Sequence, residues 1–257
     1  MSVDKALELY KEGKYNEAID AFSLVLETEG DNAEIYNNIG LCYANLGDDD
    51  KAEKNYLKAQ ELNPKLAQVY INLADIYYKD KDMGSGIELM SQGIYELPDN
   101  LVLRHYLARF YMEDAKLDLA IDELEHILEK QPENYDVYYD LARVHFELGN
   151  YACAIENFEN VLEFKPENPL LYFALAQAYE ANDEVDKAIS NYLKAIAHND
   201  SFAPAYKKVG ILFFARGDYE DAIEYFEDYL NFDIPKEETE KVKGLVERIK
   251  EKCKSIG

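Results

Sequence analysis

Residues 33–66 read AEIYNNIGLCYANLGDDDKAEKNYLKAQELNPKL, and the fold is decided there. Apolar residues recur at spacings of three and four on either side of Gly47-Asp48, the periodicity of two amphipathic helices separated by a turn. A glycine just past a helix accepts the left-handed backbone that closes its C-terminus. Pro64 closes the second helix, because proline cannot continue one. The segment predicts two antiparallel helices.

On both sides of this segment the same punctuation returns every 34 residues. Small residues stand at Ala18, Ala52, Gly86, Ala120, Ala154, Ala188 and Ala222, with a second small series at Ala6, Gly40, Ala74, Ala108, Ala142, Ala176 and Gly210. Bulky Phe22, Tyr56, Met90, Leu124, Phe158, Tyr192 and Phe226 follow the first series by one helical turn. Gly13, Gly47, Gly149 and Gly217 precede it by five residues, and Pro64, Pro98, Pro132 and Pro166 close four of the units. Asn32, Asn100, Asn134 and Asn168 stand ahead of the next apolar run, where an amide oxygen accepts from free N–H groups. Small side chains on both facing helices let the axes approach, and the bulky residue one turn later fills the next gap. One hairpin cannot bury both of its apolar faces, so each must lean on its neighbours.

In these residues the chain resembles the tetratricopeptide repeat (TPR) proteins. The resemblance divides it into repeats at 1–32, 33–66, 67–100, 101–134, 135–168, 169–202 and 203–236, followed by a capping helix and tail at 237–257. Val242, Leu245, Val246 and Ile249 supply that helix with an apolar stripe. The implied fold is all-α, a right-handed superhelix of seven helix-turn-helix repeats, that is, an α–α solenoid. Three glycines, Gly84, Gly86 and Gly93, make the second helix of the third repeat the expected soft spot.

Composition narrows the function. The chain has 27 basic and 52 acidic residues in 257, a net charge of −25, and such a field repels phosphate backbones. Nucleic acid is excluded as a partner on this ground. The acidity lies in the repeats: residues 1–236 hold 21 basic and 47 acidic side chains, whereas 237–257 hold six and five. Cys42, Cys153 and Cys253 are widely spaced and form neither a disulfide framework nor a zinc pattern, which fits a reducing compartment. The amphipathic N-terminus is not a signal peptide, and no run has the ~18 apolar residues of a membrane span, so a cytoplasmic location is expected.

No catalytic residue, metal ligand set or cofactor is expected. His105, His126, His145 and His198 fall at four different places in the repeat, and His145 stands in a core tyrosine's place. The Gly84–Gly86 run lacks the Lys-Ser/Thr end of a phosphate loop. Most of the 22 tyrosines keep framework positions: Tyr36, Tyr70, Tyr138, Tyr172 and Tyr206 at the fourth, and Tyr43, Tyr77, Tyr111 and Tyr179 at the eleventh.

The resemblance implies a non-catalytic scaffold that binds a peptide segment or protein surface in a concave groove lined by the first helix of each repeat. The groove positions carry Asn38, Asn72, Tyr78, His105, Arg109, Tyr139, Arg143, Phe146, Phe173 and Lys207. Aromatic groups interleaved with charges suit a peptide whose apolar side chains take pockets while polar groups fix its register. Asn38 and Asn72 share the sixth position of adjacent repeats and are similar to the asparagine stack of the O-linked N-acetylglucosamine transferase arm, which grips peptide backbone. Arg109 and Arg143 share the ninth position and could fork onto a partner's carboxylate or phosphate, unless Glu113 and Glu147, four residues on, hold them. The carboxylate clamp of the TPR co-chaperones is missing: Val3, Leu7, Gln68 and Asn72 occupy its positions, and only Asn38 matches. The negative field favours a partner with basic patches. Self-assembly into a platform, or service as the regulatory or substrate-recruiting arm of a larger enzyme complex, are the alternatives.

Overall fold

A computed structural model describes residues 2–256; Met1 and Gly257, the outer ends of the expected first repeat and tail, lie outside the described residues. Fifteen helices and no strand occur among the described residues. The chain divides into two units, 1–132 and 133–257.

The first unit holds α1 (Val3–Lys11), α2 (Tyr15–Glu29), α3 (Ala33–Leu46), α4 (Asp49–Leu62), α5 (Ala67–Lys79), α6 (Met83–Glu96), α7 (Leu101–Glu113) and α8 (Leu117–Lys130). The second holds α9 (Tyr135–Glu147), α10 (Tyr151–Phe164), α11 (Pro169–Ala181), α12 (Val185–His198), α13 (Ala203–Arg216), α14 (Tyr219–Tyr229) and α15 (Lys236–Ile256). Within each unit every helix packs on the next in sequence, and α5 also touches α7, so the first helices of those two hairpins lie side by side. The small series, the bulky series and the aliphatics between them form the cores, with Phe22, Tyr56, Met90, Leu124 and Tyr192 fully buried. In the second unit Val242, Val246 and Ile249 of α15 are buried and close the end of that core.

Local chemistry sets the helix boundaries. Asn32, Asn100, Asn134 and Asn168 cap α3, α7, α9 and α11, each side-chain oxygen accepting from backbone N–H groups of the first turn. The turn inside every hairpin has one geometry: the residue after it donates to a carbonyl five back, as Asp48 does to Tyr43 at 3.0 Å and Glu184 to Tyr179 at 2.9 Å. This closure needs a left-handed residue. Gly13, Gly47, Gly149 and Gly217 provide it at φ 75–92°, but Lys81, Ala115 and Asp183 occupy the same turn at φ 59°, 55° and 60°. Three of the seven turns therefore hold L side chains in a conformation that glycine adopts without strain.

The glycines of α6 have a packing reason that the sequence does not disclose. A Cβ on Gly86 would stand 2.2 Å from the Phe110 ring, and one on Gly93 would stand 2.8 Å from Tyr70. Two of the three glycines read as weakening α6 thus admit rings from α5 and α7; only Gly84, with a single contact at 3.7 Å, fits the loosened reading.

Candidate functional site

The first helices carry two arginine-centred clusters, one in each unit. In the first, Arg109 on α7 lies over two tyrosine rings, Tyr78 of α5 at 5.3 Å and Tyr106 at 5.9 Å. Both hydroxyls donate to carboxylates, Tyr78 to Glu113 at 2.8 Å and Tyr106 to Asp75 at 3.3 Å. Beneath them Phe110, fully buried, meets the Tyr78 ring edge-on at 5.8 Å. Loss of water raises the Asp75 carboxyl above its ordinary value, and the Tyr106 hydroxyl and Arg109 charge offset part of that rise. Burial and then the bond to Glu113 raise the Tyr78 phenol. Glu113, offered by the sequence as the partner of Arg109, accepts instead from Tyr78.

In the second unit a pocket of about 200 Å³ opens between α9 and α11. Tyr139, Arg143, Phe146 and Glu147 line it from α9, Ala174 and Gln177 from α11, and Phe158 of α10 forms part of its wall. Tyr139 and Phe158 meet edge to face at 5.8 Å, and Phe146 is braced by Tyr151 at 5.5 Å. Arg143 does not pair with Glu147; its guanidinium lies 3.6 Å from Asp140, one turn back. A rigid aromatic enclosure with an open charged rim can take one side chain of a partner.

The other residues expected in a groove fare differently. Asn72 is 7% exposed and both ends of its amide are used: it accepts from Gln68 at 2.9 Å and donates to Asn37 at 2.8 Å. The pairing is thus Asn37 with Asn72, not Asn38 with Asn72, because residue 37 is the buried one of the two and faces α5. Asn38 is half-buried beside it. Phe173 is held between Tyr192 at 5.2 Å and Phe202 at 5.1 Å, in the manner of a packing residue. Lys207 is tied to Glu238 of α15 at 2.6 Å, which lifts its ammonium pKa through that hydrogen bond. His105 is half-buried on α7. Glu147 and Phe158 were not legible as pocket residues: the first reads as an arginine's neighbour and the second as a member of the core series.

Among the described residues no group of three His, Cys, Asp or Glu side chains is placed to hold a metal ion. Among them, too, no helix is long and apolar enough to cross a membrane.

Comparison with known proteins follows the same segments. Residues 33–66, 111–156, 139–204 and 173–236 match family models described as tetratricopeptide repeat, and 6–47 match one described as TPR repeat. The photosystem I assembly protein Ycf3 of Rippkaea orientalis is 32% identical over 90 residues, 33% of this chain and 52% of that protein. The Hsp70-Hsp90 organizing protein of Triticum aestivum is 26% identical over 106 residues, 41% of this chain and 18% of that one. The chain therefore spans about half the length of the first relative (52%) and under a fifth of the second (18%). Among solved structures, the C-terminal part of a TPR repeat-containing protein from Cytophaga hutchinsonii superposes with a TM-score of 0.79 at 20% identity, covering 94% of this chain and 99% of that one. YrrB, described as a TPR protein with an unusual peptide-binding site, superposes with a TM-score of 0.62 at 18% identity over 74% of this chain and 97% of its own. At these identities the structural likeness speaks for the fold alone.

Proposed function

The chain belongs to the tetratricopeptide repeat family, whose members mediate protein–protein interactions, and from that premise we propose that it is a non-catalytic scaffold binding a peptide segment through the inner helices of its repeats. The observation that carries the reading is the pocket between α9 and α11: six of its seven lining residues come from first helices, where a groove would present them. Packed hairpins hold the aromatic walls in place before a ligand arrives, so most of the ordering cost falls on the peptide. Arg109, laid on two rings and exposed, offers a fixed guanidinium to a partner's carboxylate. A cytoplasmic location accords with three cysteines that form no disulfide.

The relatives' partners do not carry over to this chain. The chaperone-tail clamp is absent from the groove positions, and the likeness to the photosystem I assembly protein is confined to 33% of this chain. A peptide-display selection against wild type and Ala174→Phe, which fills the pocket from α11, tests the reading. Wild type should enrich related peptides and the filled variant should lose them. No enrichment on wild type, or equal enrichment on both, would overturn it.

A further inference from the structure

We propose that the pocket between α9 and α11 seats the cationic side chain of a partner peptide, a lysine or arginine whose stem lies along its aromatic walls. The inference deepens the peptide-binding reading and rests on it. Tyr139, Phe146 and Phe158 present ring surface to one cavity of about 200 Å³, room for a long aliphatic stem with its head group. A cation is drawn to the negative face of such rings, more strongly where water is excluded.

The charges at the rim favour the same sign of ligand. Arg143 would oppose a cation, but its guanidinium is drawn back to Asp140 at 3.6 Å, which offsets part of its charge. Glu147 has no hydrogen-bond or ion-pair partner among the described residues and offers the pocket a carboxylate that is not engaged elsewhere. Gln177, across on α11, adds an amide oxygen able to accept from an ammonium or guanidinium. The chain's net charge of −25 raises the local concentration of cationic partners before contact. A carboxylate ligand would meet Glu147 and the rings' negative faces; a purely apolar one would gain nothing from Glu147, which stays in water.

The full chain should be titrated with N-acetyl-lysine methylamide, N-acetyl-arginine methylamide and the uncharged N-acetyl-norleucine methylamide. Backbone amide resonances of α9 and α11 would be followed at physiological salt, where attraction beyond ~8 Å is screened. One or both cationic probes should shift these resonances with an affinity about three- to tenfold above norleucine, the range a partly desolvated cation–π contact gives. Phe146→Leu, which keeps apolar volume but removes a ring, and Glu147→Gln, an exposed change, should each bring the cationic probes down to the affinity of norleucine measured on the same variant. Norleucine binding equally well would sink the cation seat and leave the peptide groove standing. Failure of all three probes to perturb the pocket, together with loss of the display enrichment, would sink both. A cation preference that survives both variants would place the binding elsewhere and overturn the assignment.

Discussion

Arg109 and Arg143 hold the same position in successive repeats, yet one sits on a filled surface and the other beside an opening. Three residues earlier, the first unit has Tyr106 and the second Asp140. A ring at that place lies under the guanidinium at 5.9 Å; a carboxylate clips it at 3.6 Å. One residue later the contrast continues. Phe110 reaches under Tyr78 and onto Gly86, whereas its counterpart Val144 is a smaller buried side chain. The framework is indifferent to these choices, because both satisfy the core. Differences of one side-chain size therefore decide whether the first helix of a hairpin presents a finished surface or a vacant one.

The largest expected effect comes from emptying the filled side. Phe110 is fully buried, so Phe110→Ala should cost about 3–5 kcal/mol in urea unfolding and open space beneath Tyr78. Gly86→Ala attacks the same contact from α6: its new methyl would lie 2.2 Å from the ring, and the clash should cost about 1–3 kcal/mol. Phe110→Ile combined with Gly86→Ala reproduces the pair Ile76 and Ala52 found one repeat earlier, and the double variant should recover most of the loss. If the two changes simply add, Phe110 and Gly86 are not matched in size.

Where both units share a device, they should respond alike. At the eleventh position Tyr77 donates to Glu53 at 2.9 Å and Tyr179 to Glu159 at 2.5 Å. Burial, then the carboxylate, pushes the Tyr77 phenol up to about 12, and Tyr179 is raised for the same reasons. The neutral phenol is thus favoured in the folded state. Its contribution is complete below the ordinary phenol pKa near 10 and is lost as pH climbs from there through the folded value. Stability measured by chemical denaturation should fall between pH 10 and 12, and Tyr77→Phe or Tyr179→Phe should each flatten that fall. An unchanged slope in both variants would remove these hydroxyls as its cause.

Much of this was legible in the sequence. Hairpin spacing, the asparagine caps and the buried small and bulky series follow from a strict 34-residue period, since helix packing repeats whatever repeats in sequence. What was illegible are departures that depend on a neighbour across a gap. Gly86 reads as a weak helix residue until the ring of Phe110 is seen against it. Asn72 reads as a peptide grip until Asn37 and Gln68 are found on its amide. Lys81, Ala115 and Asp183 give no hint alone that each fills a glycine's turn. That turn yields a prediction of moderate size: Ala115→Gly should raise stability by about 1 kcal/mol in urea unfolding, the left-handed strain relieved less the added chain entropy. Gly149→Ala in the second unit should lower it by a similar amount. Equal stabilities would show that these turns bear no strain.

The smallest expected effect bears most directly on the two arginines. Arg109 rests on two rings whose hydroxyls are fixed by carboxylates, so truncating it should cost about 0.5–1 kcal/mol, the range of exposed cation–π contacts. The Arg143–Asp140 pair is exposed on the arginine side and separated by three residues, a geometry worth about 0.2–0.5 kcal/mol and weakened by salt. Arg109→Ala should therefore lower the urea midpoint more than Arg143→Ala does. Raising the salt should shrink the smaller loss further. A guanidinium so lightly held adds little to stability, whereas moving Arg109 would uncover two rings. An Arg143→Ala loss as large as that of Arg109→Ala would mean that the pocket's rim is as fixed as the filled surface, and the contrast between the two regions would then lie in shape alone.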